Sequence, residues 1–220
     1  MNNRLENEKS SSLVFSYLTL RKTIGLLGIT FPFVLSFGAL LFFHTGIQSS
    51  LSSYYHTGMR DVFVGTLCVI GFFLLSYKGY DRSDNFAGGL GCFFAVGVAL
   101  FPTTSDAAIT SSARLIGYVH LTFALLFFLT LIYFSLFLFT KTDANTSPSR
   151  RKLQRNSVYK TCGYAMSFCI VLISIYTFLP DKMALTLEAF KPVYWLETLA
   201  ILAFGISWFT KGETILKDET

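Results

Sequence analysis

The chain has 220 residues, of which 52% are hydrophobic and 14% charged, and its mean hydropathy is +0.53. This composition excludes an ordinary soluble globular domain, because such domains carry about 25% charged residues. It is typical of an integral membrane protein. The net charge of +5 does not indicate nucleic-acid binding, since the sequence shows no basic groove interleaved with aromatic residues.

Six apolar segments approach or reach the roughly 17 to 25 residues that an α-helix needs to cross a bilayer core. None alternates with the period of two that a barrel strand requires, so the sequence predicts an all-α polytopic bundle of six transmembrane helices. A single transmembrane domain would occupy residues 24–209, between an N-terminal cytoplasmic or interfacial segment (1–23) and a tail (210–220). No cleaved signal peptide is predicted. The segments are Ile24–Phe43, Val62–Tyr77, Phe86–Phe101, Leu115–Thr140, Thr161–Leu179 and Phe190–Phe209.

The orientation of the bundle is predicted from its lysines and arginines. The termini and the even-numbered loops together carry 14 of these residues, whereas the odd-numbered loops carry 4. Because basic residues concentrate in cytoplasmic segments, both termini are predicted to be cytoplasmic and the first, third and fifth loops to face outward.

The third segment repeats small residues every four positions, from Ala87 through Gly91 and Ala95 to Ala99, with Gly88 and Cys92 on the adjoining row. Small residues at this spacing let helix backbones approach closely, which predicts a tightly packed and central helix. The two tryptophans, Trp195 and Trp208, lie near opposite ends of the sixth segment. This placement favours two interfacial belt residues.

The first loop is unusually polar, with the sequence SSLSSYYHTGMRD from Ser49 to Asp61. Two ionisable residues, His120 and Glu197, lie inside predicted spans, where such groups are costly and often functional. Each lies six residues beyond a boundary charge on the outer side, which predicts similar depths. Small residues around His120 predict that it points into the bundle. All three histidines are therefore predicted at the outer face, with His44 and His56 in the first loop.

Histidine nitrogens and carboxylate oxygens can hold zinc or another divalent metal that activates water, or can exchange protons directly. The candidate catalytic residues are His120, Glu197 and Asp61. The candidate metal ligands are His56, His120 and Glu197. The candidate substrate-binding residues are Ser52, Tyr54, Tyr55, Arg60 and Asp106.

A purely structural interpretation of the same residues is also open. His120 could hydrogen-bond across a helix interface, and Glu197 could be neutral or paired with Arg60 or Arg114. Asp61 could act as a cap for the second helix.

Two family resemblances accompany these residues. Ser52 and His56 form S-x-x-x-H, which resembles one element of the transmembrane hydrolase superfamily that includes alkaline ceramidases and progestin/adiponectin receptors. The chain has six predicted spans and no terminal H-x-x-x-H, where that superfamily has seven spans and the motif. FPTTSD after the third span and GYVH opening the fourth resemble the bacterial membrane proteins grouped as domain of unknown function 998. The blocks YLTLRK, YYHTGMRDVFVG and WLET point to a related family, which implies a six-span fold and a bacterial inner-membrane location.

The leading functional hypothesis is a metal-assisted hydrolase of a lipid or amphipathic substrate at a periplasm-facing pocket. A small-molecule transporter or ligand-binding membrane protein is the alternative, and an accessory or assembly protein is a third. The expected partners are membrane lipids and an amphipathic small molecule, with no nucleic acid.

Overall fold

The structure, a computed structural model, describes residues 2–77, 82–105, 110–142, 147–213 and 216. Within these ranges the regular secondary structure is helical and no strand occurs, which confirms the all-α prediction. A 3₁₀ helix, Ser52–His56, lies in the first loop, and α4 continues directly into a π-helical turn, Phe134–Leu138. The α-helices are α1 (Asn2–Phe43), α2 (Arg60–Leu75), α3 (Arg82–Leu100), α4 (Ser111–Tyr133), α5 (Arg150–Thr177), α6 (Asp181–Glu188) and α7 (Pro192–Lys211).

Four helical segments are long and apolar enough to cross a membrane, namely Tyr17–Phe43, Ser111–Leu138, Arg150–Thr177 and Pro192–Lys211. Helix α2 has 16 residues, and the apolar part of α3, Asp84–Leu100, is also shorter than a typical span. The chain is therefore a multi-pass membrane protein by the length and composition of its helices. The six-span topology stays a prediction.

The six long helices pack in chain order and close into a ring. Helices α1 to α5 each contact the next one along the chain, α5 also contacts α7, and α7 returns to α1. The short helix α6 lies in the connection between α5 and α7. This arrangement places the interior of the bundle between all six long helices.

Glycines allow two close helix contacts. A Cβ atom at Gly25 of α1 would lie 2.5 Å from the backbone nitrogen of Phe209, and one at Gly205 of α7 would lie 2.7 Å from the backbone nitrogen of Ile29. Likewise, a Cβ at Gly88 of α3 would lie 2.5 Å from the carbonyl oxygen of Leu74. Because real Cβ atoms do not approach backbone so closely, α1 with α7 and α2 with α3 can adopt this spacing only with glycine at these positions.

The small-residue face of α3 is buried as predicted, and it packs mainly on α2. The predicted central position is wrong. Helix α3 takes one place in the ring, and its opposite face carries Phe86 and Phe93, which are 70% and 62% exposed. Small residues on one face of a helix indicate a close neighbour on that side, whereas exposed phenylalanines on the other indicate contact with lipid.

The prediction that Trp208 is a belt residue is also wrong. Trp208 is fully buried in an aromatic cluster, with its ring centroid 5.0 Å from Phe139, 5.3 Å from Tyr77 and 5.4 Å from Phe134. Trp208 is buried because it lies on the face of α7 that points to the inside of the ring. Trp195 at the other end is 56% exposed, as a belt residue would be.

Helix α1 runs without interruption from Asn2 to Phe43, and the predicted domain boundary at residue 23, which lies inside this helix, stays a prediction. One further feature differs from the sequence expectations. Helix α6 lies outside every predicted helix. It exposes Met183, Leu185 and Leu187 on a short amphipathic turn of chain.

Candidate functional site

The first-loop segment, defined as Ser49 to His56, folds into the mouth of the ring. The backbone N–H of Tyr194, in the first turn of α7, donates a hydrogen bond to the carbonyl oxygen of Ser49 at 3.1 Å. The ammonium group of Lys191 donates to the carbonyl oxygen of Ile47 just before the segment. Helix α7 therefore holds the start of this segment through its own first residues.

Tyr54 anchors the middle of the first-loop segment inside the bundle. Its side chain is fully buried, and its hydroxyl donates to the Ser36 hydroxyl at 3.2 Å. The Ser36 and Tyr194 hydroxyls lie 2.6 Å apart, so α1, the first-loop segment and α7 share one hydroxyl network. Burial raises the pKa of Tyr54 above its ordinary value of 10.0, which keeps the phenol neutral.

Glu197 holds the beginning of the 3₁₀ helix. Its carboxyl oxygen Oε2 accepts a hydrogen bond from the backbone N–H of Leu51 at 2.6 Å, and the backbone and side chain of Ser52 also interact with this carboxyl. Leu51 immediately precedes the 3₁₀ helix, where backbone N–H groups lack partners within the helix. A carboxylate acceptor at a helix N-terminus is favourable for both the hydrogen bond and the helix dipole.

Below Glu197 lies a small interior cavity of about 30 Å³. Side chains from α1, α2, α3, α4 and α7 line it together with Leu51 and Ser52, and they include Phe31, Phe63 and Phe127. A space of this size holds about one water molecule. The carboxyl of Glu197 and the hydroxyl of Ser52 thus lie at the polar end of a mostly apolar interior.

His120 and His56 form hydrogen bonds with the backbone of the connection between α3 and α4. His120 is 1% exposed, as predicted, and its Nδ1 lies 2.6 Å from the carbonyl oxygen of Phe101. His56 is exposed, and its Nε2 lies 2.7 Å from the carbonyl oxygen of Thr103. Because a carbonyl only accepts, each imidazole nitrogen must carry the proton and donate it. Each histidine uses one ring nitrogen in a backbone contact.

The predicted metal ligands His56, His120 and Glu197 do not assemble as a metal centre. Within the described ranges, no group of three or more histidine, cysteine, aspartate or glutamate side chains could hold a metal ion. The two histidines are close enough to interact electrostatically, but Glu197 binds the backbone of the first-loop segment. The remaining histidine, His44, is exposed at the end of α1 in a left-handed conformation, with φ of 51°.

The other predicted site residues lie at the exposed edge of the same region. The guanidinium carbon of Arg60 lies 4.9 Å from the centre of the Tyr55 ring, and its Nε donates to the Tyr55 carbonyl oxygen at 3.4 Å. Asp61 is exposed in the first turn of α2, where its negative charge interacts favourably with the helix dipole. Asp106 lies outside the described residues.

Glu197 does not use either of the arginines proposed as partners from sequence. Arg60 and Arg114 are both exposed, while the carboxyl of Glu197 faces backbone donors of the first-loop segment. Sequence reasoning also missed Ser36, Tyr194 and Lys191, which hold that segment in place. Tyr194 and Lys191 lie at the start of the sixth predicted span, but the sequence does not show their partners. Both donate to backbone carbonyls, and the Tyr194 hydroxyl also bonds to the Ser36 hydroxyl, 158 positions away.

Comparison of the chain with protein-family models, curated proteins and solved structures gives no match. The two resemblances found in the sequence stay predictions.

Proposed function

We propose that this protein binds an amphipathic ligand in the interior of a six-span bundle in the bacterial inner membrane. The cavity beneath Glu197 would be the closed form of the binding pocket, and the first-loop segment would be its lid on the periplasmic side. Both termini would then lie in the cytoplasm. The ring of helices and the excess of basic residues at the termini and even-numbered loops support this arrangement.

The single observation that carries the proposal is the position of the Glu197 carboxyl at the head of an apolar cavity. Pockets that bind small molecules are mostly apolar and contain a few convergent polar groups. Here the polar groups are Glu197 and Ser52, while Phe31, Phe127 and Ile201 line the space below them. A ligand with a hydrogen-bond-donating head and an alkyl tail matches this distribution.

The contacts of the first-loop segment are suited to a reversible closure. Leu51 and Ser52 contact Glu197 and also line the cavity, so a ligand head that reached the carboxyl would replace these contacts. The segment is held by hydrogen bonds to α7 and by Tyr54, without a covalent link. Displacement of Leu51 and Ser52 would enlarge the cavity toward the outer face.

Ligand-dependent thermal stabilisation of the full-length protein in phosphatidylcholine nanodiscs tests this proposal. The probes are dodecylamine and dodecanoate, which share a chain length and differ in the head group. We expect dodecylamine to raise the unfolding temperature and dodecanoate to leave it unchanged, because only the amine can donate to Glu197. In Glu197→Gln the apparent affinity for dodecylamine should fall about tenfold, since a charged hydrogen bond is lost.

Glu188→Gln is the matched control, because Glu188 is an exposed glutamate in α6. It removes the same charge, so any effect of the amine on the bilayer itself should be equal in both variants. Equal responses in Glu188→Gln and Glu197→Gln would overturn the proposal, as would a wild-type protein that does not respond to dodecylamine.

Hydrolysis of an amphipathic ester is the second candidate function. It is favoured by the position of Ser52 and Glu197 in the lining of the same cavity, which places a hydroxyl near a potential general base. Release of p-nitrophenol from a long-chain p-nitrophenyl ester would measure it. Activity lost in both Ser52→Ala and Glu197→Gln would support hydrolysis, whereas absence of activity in the wild type would exclude it for this ester.

Transport is less well supported by the same cavity. Below Glu197 its lining is apolar, with Phe127, Phe128 and Ile201, so the polar surface does not continue inward. A coupled transporter would need a polar route past the bilayer midplane.

A further inference from the structure

A short helix lies at the end of the ring that carries the first loop. Helix α6, Asp181–Glu188, connects α5 to α7, and three residues separate it from each of them. A connection of three residues extends over at most about 14 Å. Because α5 and α7 are both long and apolar enough to span a membrane, α6 is restricted to the vicinity of the membrane surface.

Exposed aromatic residues mark the depth of the membrane on both sides of α6. Phe178 directly follows α5 and is 88% exposed, and Phe190 shortly precedes α7 and is 72% exposed. Trp195, in the first turn of α7, is exposed as well. Phenylalanine side chains are costly to leave in water, and tryptophan prefers the interface between headgroups and acyl chains. These three rings indicate that lipid reaches the level at which α6 begins and ends.

One side of α6 rests on the bundle. Ala184 is only partly exposed, and its carbonyl oxygen accepts a hydrogen bond from the hydroxyl of Tyr176 in α5 at 3.4 Å. Residues two positions away lie on the opposite side of a helix, since each residue turns the helix by about 100°. Lys182 and Thr186 therefore point away from the bundle, and both are exposed.

One flank of α6, between these two sides, is apolar. Met183 and Leu187 are four residues apart, so they lie one above the other on this flank, and both are exposed. Phe190 lies seven positions beyond Met183 and continues the same spacing past the end of the helix. The opposite flank is mixed, with Leu185 beside Glu188. The apolar residues of α6 are nevertheless segregated to one side more strongly than those of the other α-helices, as in helices that lie in the plane of a membrane surface.

The charge of the connection between α5 and α7 is balanced. The segment from Phe178 to Lys191 carries two acidic and two basic residues, so its net charge is zero. A segment without net charge is not attracted to anionic headgroups in preference to zwitterionic ones. Apolar contact would therefore supply the attraction, and the partner can be a zwitterionic lipid such as phosphatidylcholine.

We propose that α6 is an interfacial anchor. Met183, Leu187 and Phe190 insert between the headgroups and the upper acyl chains of the leaflet on the first-loop side, while Lys182 and Thr186 face water. In this arrangement lipid, and not a second copy of the chain, covers the apolar flank. The anchor does not depend on a ligand near Glu197, since α6 is not part of the lining of that cavity.

Tryptophan fluorescence of the full-length protein in nanodiscs tests this proposal. The parent is Trp195→Phe, which leaves Trp208 as the only native tryptophan, and Trp208 is fully buried. In this background Leu187→Trp places a reporter on the apolar flank, and Thr186→Trp places the matched control one residue away, toward water. Emission is compared between ordinary phosphatidylcholine and phosphatidylcholine brominated on its acyl chains, because bromine quenches only the tryptophans that it contacts.

The two reporters should respond to different quenchers. After subtraction of the parent signal, we expect brominated lipid to reduce the emission of Leu187→Trp about twofold, since the anchor lies at the boundary of headgroups and acyl chains. Thr186→Trp should keep its emission in brominated lipid and be quenched instead by iodide added to the water. Addition of phosphatidylglycerol should change neither result, because the connection has no net charge.

Equal lipid quenching of the two reporters would overturn the proposal, because α6 would then have no defined lipid side. Emission of Leu187→Trp that is quenched by iodide and not by lipid would place the flank in water, and emission quenched by neither would show that protein covers it. Both results contradict the anchor, as would lipid quenching that requires phosphatidylglycerol. Should Leu187→Trp fail to fold, Phe190→Trp replaces one aromatic ring by another on the same flank and decides the outcome.

Discussion

The carboxyl group of Glu197 accepts a hydrogen bond from the backbone N–H of Leu51 at 2.6 Å, across a sequence separation of 146 residues. This contact joins the last membrane helix to the first loop. It gives a membrane-embedded carboxyl a structural partner and places that partner at the edge of the interior cavity. Among the described residues, Glu197 is the only ionisable side chain that lines this cavity, and it also holds the first-loop segment in position.

Removal of the Glu197 carboxyl should destabilise the protein, and the loss should be larger when no hydrogen-bond acceptor is left at this position. In Glu197→Ala the Leu51 amide loses its partner, and we expect a loss of about 1.5–3 kcal/mol in the free energy of unfolding. Glu197→Gln keeps an acceptor oxygen and should lose clearly less. Chemical denaturation in detergent micelles measures both, and equal losses would contradict the role of the hydrogen bond.

His120 and His56 should differ in their importance because one is buried and the other exposed. In His120→Phe the ring shape is kept, but the carbonyl of Phe101 loses its donor inside the protein, at a cost of about 1–3 kcal/mol. In His56→Phe, water can replace the donor to Thr103, so the loss should be smaller. Thermal unfolding of the two variants side by side measures the two losses of stability. A larger loss in His56→Phe than in His120→Phe would contradict the prediction.

The close contact of α1 with α7 should not tolerate even a methyl group. In Gly25→Ala the new Cβ would lie 2.5 Å from the backbone nitrogen of Phe209, and we expect a loss of about 1–3 kcal/mol or more. Gly65→Ala is the matched control, since Gly65 lies within α2 and a Cβ atom added there would meet no neighbouring atom within 4 Å. It should be neutral or gain up to about 1 kcal/mol from helix propensity. The fraction folded after purification and the unfolding temperature would both show the difference, and equal behaviour of the two variants would refute the packing argument.

Docking of the first-loop segment should weaken at alkaline pH. Burial raises the pKa of Tyr54 in the folded state above the value of 10.0 that applies in the unfolded chain. The neutral phenol therefore contributes stability that is fully present below pH 10.0 and is lost as the pH rises through the folded-state pKa. Unfolding free energies measured across this range should fall less in Tyr54→Phe than in the wild type. A fall of the same size in both would assign the pH dependence to other groups.

The predicted topology can be checked at two exposed positions. Gly46→Cys lies in the first loop and Ser147→Cys lies just before α5. A membrane-impermeant maleimide added to intact spheroplasts of a bacterial host should label Gly46→Cys, whereas Ser147→Cys should react only after permeabilisation. Labelling of both positions from the same side would contradict an odd number of crossings between them.

The six long helices were predictable from the sequence because long apolar runs and small-residue spacing reflect how each helix contacts lipid or a neighbouring helix. The burial of His120 followed from the small residues on its own helix face. The helical order within the ring was not predictable, since apolar faces do not identify their partners. The repeated small residues of α3 led to the prediction of a central position, but such residues indicate only one close neighbour.

The candidate site was predictable only in part. The sequence identified Glu197, Ser52 and the histidines as residues of one region, but it suggested a metal or an arginine as their partner. Their actual partners are backbone groups of Leu51, Phe101 and Thr103, and backbone donors and acceptors have no signature in a side-chain pattern. Trp208 was misassigned for a related reason, because its distance from the helix end does not reveal which face of α7 is inside.

Hydrogen exchange at the amides of Leu51 and Ser52, in the full-length protein in nanodiscs, tests most directly whether Glu197 holds the first-loop segment closed over the cavity. We predict slow exchange at both amides in the wild type and in Glu188→Gln, and fast exchange in Glu197→Ala. Fast exchange in the wild type, or protection that survives Glu197→Ala, would contradict the claim that Glu197 holds the first-loop segment closed.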